Sequence, residues 1–321
     1  MFLMKGSVIR DNFELREDFK RAVEKLKTYK TRRVFVQYPE GIKLRIQQIV
    51  KTLEAEGLEI VVCTEPCFGA CDIRDYEAKR LGCDTILHIG HEDYGAESDL
   101  PIVFWEYFIP SDPTSILEKE FSKIEQYERI GLATSIQFVD SIEKVKRFLE
   151  GRGKKVVIHT ALQHAGQILG CQLEAATKIE PNIDCFLCIS AGKFYGLGLV
   201  LKTEKPMFCL DLERGEIFDL IDFKRKVQKI IAWNKSEFED ARKVALLVSW
   251  KRGQSKLPFE VKKKLEARGK EVYIFAMDEI TPEKLMGLKI DAAINLACPR
   301  IGVDDLERYK TPIVNLEHID L

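Results

Sequence analysis

A short phrase that opens a strand occurs three times in this chain, and that repetition limits its possible folds more than any other feature. Glu56–Val62 reads EGLEIVV, Gly151–Ile158 reads GRGKKVVI and Ala267–Phe275 reads ARGKEVYIF. Each ends a helical stretch on glycine and starts a β-branched run. A second phrase follows each of them: CDTILHI at Cys83–Ile89, IDCFLCI at Ile183–Ile189 and IDAAINL at Ile290–Leu296. Apolar runs of strand length alternate with helix-period segments throughout, the rhythm of a parallel sheet covered on both faces. The first pass predicts strands at Arg33–Gln37, Leu58–Cys63, Thr85–Ile89 and Ile102–Trp105, with a helix from Ile42 to Glu56. The second predicts strands at Arg129–Ala133, Lys155–His159, Cys185–Ile189 and Pro206–Leu210, with a helix from Ser141 to Glu150. The third predicts strands at Lys243–Val248, Glu271–Ala276, Asp291–Leu296 and Pro312–Leu316, with a helix from Phe259 to Ala267. A long helix from Phe223 to Ala241 bridges the second and third units. The expected fold class is α/β: three similar Rossmann-like domains from internal triplication, at 1–113, 114–220 and 221–321, arranged around a central site.

The charge balance narrows the function classes. Lys and Arg number 50 against 51 Asp and Glu, a net charge of -1. That excludes a basic carpet for direct nucleic-acid binding. No run approaches the ~18 apolar residues of a membrane span. The first residues turn charged too early for a secretory signal, so the expected location is the cytoplasm.

The nine cysteines then have to be sorted, because thiols in a reducing compartment are core packing, metal ligands or catalysts. Parallel sheets bind ligands at the carboxyl ends of their strands. Cys71 sits in such a place, in Gly69-Ala70-Cys71-Asp72 ahead of a helix, and Cys171 repeats the setting after Gly170. Cys298 follows the third strand of the third unit, in Ala297-Cys298-Pro299-Arg300. If the units surround a central site, three thiolates converge there; three unrelated core cysteines is the alternative. The local series Cys63, Cys67, Cys71 has one residue too many for the common Cys-x3-Cys-x2-Cys cluster motif, and Pro66 and Gly69 interrupt it. Cys185 and Cys188 lie three apart in a strand, on opposite faces, which is wrong for a chelate. With Cys83 and Cys209 they read as packing.

His88 and His91 end a strand and suggest a zinc site with Cys71, or else a hydrogen-bonded pair. Gly192-Lys193 and Gly196-Leu197-Gly198 lack the spacing of a phosphate or dinucleotide loop. No acid–base triad is visible.

Several motifs together resemble the diphthamide-synthesis radical enzymes, the 2-(3-amino-3-carboxypropyl)histidine synthase family. They are Gln37-Tyr38-Pro39-Glu40-Gly41, Phe68 to Asp72 and His88 to His91 in the first unit. Thr134 to Phe138 and Gln167 to Cys171 match in the second, and Ser249 to Gln254 and Ala297 to Arg300 in the third. The resemblance covers nearly the whole chain, in a short form that looks archaeal. It implies a homodimer whose chains each hold a 4Fe-4S cluster, here by Cys71, Cys171 and Cys298. It implies that S-adenosylmethionine (SAM) binds the open iron and that its Cγ–S bond is cleaved. The resulting 3-amino-3-carboxypropyl radical is added to a histidine of translation elongation factor 2, the first step of diphthamide synthesis. Cys67, and Ala191 to Phe194, depart from the family pattern. Gln37, Glu40, Gln137, Arg252 and Gln254, all at first-strand ends, are the expected SAM contacts, with loop capping as their alternative role. Two other classes stay open: a Cys/His zinc enzyme or regulator, and a non-catalytic small-molecule binding module.

Overall fold

In the computed structural model, three separate sheets follow one another along the chain; residues 13–254, 256–304 and 306–320 are described. The amino-terminal stretch that bears on a secretory signal lies outside them, up to residue 12. The strands of the first sheet are β1 (Arg33–Gln37), β2 (Glu59–Val62), β3 (Thr85–Ile89) and β4 (Ile102–Trp105). All pair in parallel, in the order β2-β1-β3-β4, with Val36 opposite both Val62 and Leu87. The second sheet holds β5 (Arg129–Thr134), β6 (Lys155–Val157), β7 (Cys185–Ser190), β8 (Met207–Asp211) and β9 (Glu216–Asp219), in the order β6-β5-β7-β8-β9. The third holds β10 (Lys243–Ser249), β11 (Glu271–Met277), β12 (Ala292–Asn295) and β13 (Ile313–Asn315), in the order β11-β10-β12-β13. In each sheet the second strand lies on one side of the first and the third strand on the other. The strand order therefore reverses between the parallel first and third strands, and the crevice at their carboxyl ends is where such sheets bind ligands.

The sequence dictates these strands by burial on both faces. Every residue of β3, β7 and β8 is buried, which only a near-continuous apolar run tolerates. The helices cover the faces with spaced apolar residues: Ile46, Ile49 and Leu53 in helix Ile46–Ala55, and Ile142, Val145, Phe148 and Leu149 in helix Ile142–Glu150. Two expectations are corrected. The helix expected from Ile42 starts as a 3-10 segment, Glu40–Arg45, and becomes α-helical only at Ile46. The second sheet also gains β9, which pairs antiparallel with β8. Its four residues bury only Ile217, too little alternation to read as a strand. A tight turn makes the hairpin: Gly215 takes φ +70 and donates its N–H to the Asp211 carbonyl, and Asp211 Oδ1 accepts from the N–H groups of Glu213 and Arg214.

The chain divides into two compact units, the first ending at Tyr107 and the second beginning at Phe108. In the first unit, helix Glu17–Thr28 closes one face of the sheet. There Trp105 packs against Phe19 with ring centroids 5.0 Å apart, and its Nε1 donates to Asp18 at 2.8 Å. The second unit contains both remaining sheets on one apolar core, with Ala133 and Phe186 from one and Ala245 and Ala293 from the other. The long helix Ile221–Asp240 runs between the strands of the two sheets in sequence. It is tied to the third sheet by Asn234, whose Nδ2 donates to the Ile313 carbonyl at 2.9 Å.

Candidate functional site

Burial sorts the nine cysteines into two groups. Cys63, Cys67, Cys83, Cys185, Cys188 and Cys209 are buried, Cys71 and Cys298 are half-buried, and Cys171 is exposed. Cys185 and Cys188 belong to different core clusters on the two faces of β7, as their spacing predicts. Burial pushes both of their thiols up to about 12, and raises those of Cys63, Cys83 and Cys209 as well. A thiol that resists ionisation is a poor ligand and nucleophile. Only Cys71, Cys171 and Cys298 combine solvent access with a loop at the carboxyl edge of a sheet. The three loops are not strict equivalents. Those of Cys71 and Cys171 follow the second strand of their sheets, whereas that of Cys298 follows the third strand, β12.

Polar side chains from strand ends hold each of these loops. At the end of β1, Gln37 is 1% exposed. Its Nε2 donates to the Asp72 carbonyl at 2.8 Å, and its Oε1 accepts the Arg74 N–H at 3.1 Å, so one amide grips the chain on the carboxyl side of Cys71 twice. Both ends of the Gln37 amide thus take part in fixing the loop, the capping role that stands as the alternative to a SAM contact. The Cys171 loop folds back on the end of β5. Thr134 donates its N–H to Gly166 and accepts from Ile168, and the buried Gln167 between them accepts the His164 N–H through Oε1.

The Cys298 loop rests on two asparagines at neighbouring strand ends. Asn295 Nδ2 donates to the Cys298 carbonyl at 2.8 Å and to Asn315 Oδ1 at 2.7 Å, while Asn295 Oδ1 accepts the Ala297 N–H. Asn315 Nδ2 donates to the Pro299 carbonyl at 2.7 Å.

Arg300 joins the Cys171 and Cys298 loops. Its side chain is 8% exposed and pairs with Asp304 at 2.6 Å. Nη1 donates to the Gly170 carbonyl at 3.3 Å and Nη2 to the Phe194 carbonyl at 2.7 Å, with the guanidinium 4.0 Å from the Phe194 ring centroid. Gly198 makes the room: a Cβ there would stand 2.2 Å from Nη1. A cavity of about 340 Å³ opens beside this contact, and Cys171, Lys202, Arg300 and His318 are among its lining residues. In the sequence Arg300 and Asn295 stand out only as parts of longer phrases. An arginine two residues after a loop cysteine was the available signal.

The other expected SAM contacts are spread over both units. Glu40 is exposed and bonded to Lys43 at 3.1 Å, three residues along the same turn. Gln137 is half-buried in the turn after β5, and its carbonyl accepts the Ile109 N–H. Arg252 and Gln254 occupy the turn after β10, half-buried or exposed, beside Lys251, which is 5% exposed. That buried lysine was not singled out in the sequence.

His88 is fully buried at the end of β3, with its ring centroid 5.1 Å from that of His91. Burial holds His88 well below the usual histidine range and His91 at about 4, so both rings are neutral at pH 7. One expectation is corrected here. Among the described residues, the thiol grouped with both histidines is Cys67, not Cys71.

Residues 38–320 match the family model described as diphthamide synthesis protein. The chain belongs to that family. Its relatives include the 2-(3-amino-3-carboxypropyl)histidine synthase of Pyrococcus horikoshii, 29% identical over 93% of this chain and 88% of the relative. The enzyme of the same name from Methanocaldococcus jannaschii is 29% identical over 90% of this chain and 84% of the relative. The crystal structure of Dph2 from Pyrococcus horikoshii superposes with a TM-score of 0.81 at 28% identity, covering 93% of this chain and 88% of that one. The same protein has been solved with a 4Fe-4S cluster. The resemblance read from the motifs is therefore to the right family, the α/β class agrees with the solved relative, and the expectation of an enzyme agrees with the synthase names. Among the described residues no helix is long and apolar enough to cross a membrane.

Proposed function

We propose that this diphthamide synthesis family member transfers the 3-amino-3-carboxypropyl group of SAM to a histidine of translation elongation factor 2, in the cytoplasm and as a homodimer. We further propose Cys71, Cys171 and Cys298 as the ligands of a 4Fe-4S cluster, one from each of three repeats at 1–113, 114–220 and 221–321. The observation that carries the reading is the sorting of the thiols. Six are buried, and the three that are accessible lie one per sheet on carboxyl-edge loops, as a set of thiolate donors requires.

When bound, such a cluster supplies the electron that cleaves the Cγ–S bond of SAM and an iron position that cysteine does not occupy. The chain's own residues then bind, orient and exclude water. Gln37, Gln167, Asn295 and Asn315 fix the loops, so the thiols are held in place before anything binds. Arg252 and the neighbouring Lys251 suit the SAM carboxylate, Glu40 suits its cationic groups, and Gln137 and Gln254 suit neutral hydrogen bonding. No acid–base pair is required, because electron transfer and bond alignment carry the chemistry.

The test is anaerobic. Protein purified without oxygen is analysed for iron and sulfide, then reduced with dithionite and given SAM and elongation factor 2. Methylthioadenosine and the added mass on one histidine of the factor are expected. Deoxyadenosine as the main product, or an unmodified factor, refutes the proposal. Light scattering across micromolar concentrations tests the dimer.

A further inference from the structure

Cys67, His88 and His91 form a cluster that the cluster-ligand assignment does not use. His88 is the penultimate residue of β3, Gly90 turns the chain with φ +80, and His91 follows; Cys67 comes from the loop that leaves β2. Cys67 Sγ lies 3.7 Å from His88 Nε2, and one ligand atom from each of the three residues lies within 4.8 Å of the other two. Zinc bonds of ~2.3 Å to sulfur and ~2.0–2.1 Å to nitrogen in a tetrahedron place such atoms roughly 3.4–3.6 Å apart. The Cys67–His88 separation is thus close to that of a filled site, and with the other atoms inside 4.8 Å, side-chain movements of about an ångström close the set.

A second observation points to a missing ligand. Nδ1 of His88 and Nδ1 of His91 are both buried without a hydrogen-bond partner. Buried polar atoms are nearly always satisfied; the orphaned Nδ1 of His91 is open to an ion, whereas His88 would bind one through the Nε2 that faces Cys67 and its own Nδ1 is not explained by the ion. His88 itself is 0% exposed, so bulk water does not complete it. The polar surroundings of its ring are Cys67, His91 and the Gly69 backbone, with the edge of Phe104 packed against it at a centroid distance of 5.4 Å.

We propose that Cys67, His88 and His91 bind one Zn²⁺ ion per chain, a site separate from the Cys71 thiol. Two neutral imidazoles and one thiolate are the donor set zinc prefers, and a water completes the tetrahedron on the half-buried His91 side. Binding deprotonates the Cys67 thiol, and the proton passes to solvent. The ion ties the loop from Cys63 to Asp72 to the end of β3 and so braces Cys71, four residues beyond Cys67.

The experiment uses the whole chain, purified anaerobically with zinc present and dialysed, and measures zinc and iron separately. About one zinc per chain is expected in the wild type, and again in Cys71→Ala, which removes a proposed cluster ligand but none of this site. Cys67→Ser and His91→Gln should each lower zinc occupancy at least tenfold, and a zinc chelator should lower the melting temperature of the wild type but not of these variants. Cobalt in place of zinc should give the intense visible bands of a tetrahedral thiolate site in the wild type and in Cys71→Ala, and lose them in Cys67→Ser. Zinc lost in Cys71→Ala but retained in Cys67→Ser would overturn the proposal, since it would place the ion on the cluster cysteines. No bound zinc, or retention in both Cys67→Ser and His91→Gln, would overturn it equally. These readouts do not depend on SAM turnover, so the site and the proposed activity stand or fall separately.

Discussion

Replacing Arg300 with lysine keeps a cation beside Asp304 but removes the fork that joins the Cys171 and Cys298 loops. The variant loses one hydrogen bond of good length, Nη2 to Phe194 at 2.7 Å, and one long one, Nη1 to Gly170 at 3.3 Å. Bonds from a charged donor contribute ~1.5–3 kcal/mol each. The Gly170 bond counts for about half of that, because it is long and Gly170 lines the cavity, where water can take its place. The expected loss is roughly 2–4 kcal/mol, or a fall of about 5–15 °C in the melting temperature of a unit this size. Thermal unfolding of the metal-depleted protein under anaerobic conditions measures it, and iron content after reconstitution shows whether the loops still hold their thiols in register. Gly198→Ala attacks the same contact from the other side, since its Cβ would stand 2.2 Å from Nη1. The two substitutions should therefore be strongly non-additive, with Gly198→Ala costing much less in the Arg300→Lys background. Melting within 2 °C of the wild type, or simple additivity, would refute the coupling of the two loops through this side chain.

Three further outcomes are expected. Cys71→Ala, Cys171→Ala and Cys298→Ala should each strip most of the iron and its thiolate absorption, while Cys185→Ala, Cys188→Ala and Cys209→Ala should keep both and lose only packing; iron retained by Cys298→Ala would break the three-ligand assignment. The thiols of Cys185 and Cys188 stand at about 12 in the folded chain against an ordinary 9.0, so the unfolded form ionises first. Their stabilisation is complete below pH 9 and is lost between about 9 and 12, so urea midpoints should fall across that window and Cys188→Ala should flatten the fall. Gln37→Glu keeps the acceptor for Arg74 but sets a carboxyl against the Asp72 carbonyl in a site 1% exposed. Burial should raise that carboxyl above its unfolded value, so the deficit relative to wild type should be small below pH 4 and grow as pH rises; a deficit independent of pH would show that the site stays wet.

Much of the fold was legible because both faces of these sheets are covered. β1, β3, β4 and helix Phe259–Ala267 fall on their expected limits, because each strand is a short, mostly apolar run bounded by polar or turn residues and the helix is closed by Gly269. β9 was not legible: one buried side chain in four and a turn set by Asp211 and Gly215 leave no apolar signature. In the site, the distinction between loop and strand cysteines could be read from position, and burial agrees with it. What hid was hydrogen bonding. An amide at a strand end looks the same in sequence whether it faces a ligand or holds a loop, and only its bonds show that Gln37 holds one. The partner of His88 and His91 hid for a related reason. Cys67 and Cys71 are one helical turn apart in number but share no helix, so spacing alone did not decide which of them reaches the histidines.

Each of the three cysteine loops is pinned by a glutamine or asparagine, namely Gln37, Gln167, and Asn295 with Asn315, and Arg300 adds a charged tie from the Cys298 loop to Gly170. Chemistry narrows that choice. A loop leaving a buried strand end exposes both an N–H and a C=O to a dry environment, and a single side chain that satisfies both must donate and accept without carrying charge. A carboxylate only accepts, a lysine or arginine only donates, and either would bring an uncompensated charge into the same low-dielectric space. Gln37 fills both roles at once for the chain at Asp72 and Arg74, and Asn295 does so for Cys298 and Ala297. The neutral pins also leave the local potential to the mobile charges of the site, the thiolates and whatever they hold. Where charge does occur next to a cysteine loop it is balanced in place: Asp72 against Arg74 at 3.8 Å, and Arg300 against Asp304 at 2.6 Å. Neutral pins of this kind suit the proposed cluster ligands, because they hold the chain around each cysteine without adding charge beside it.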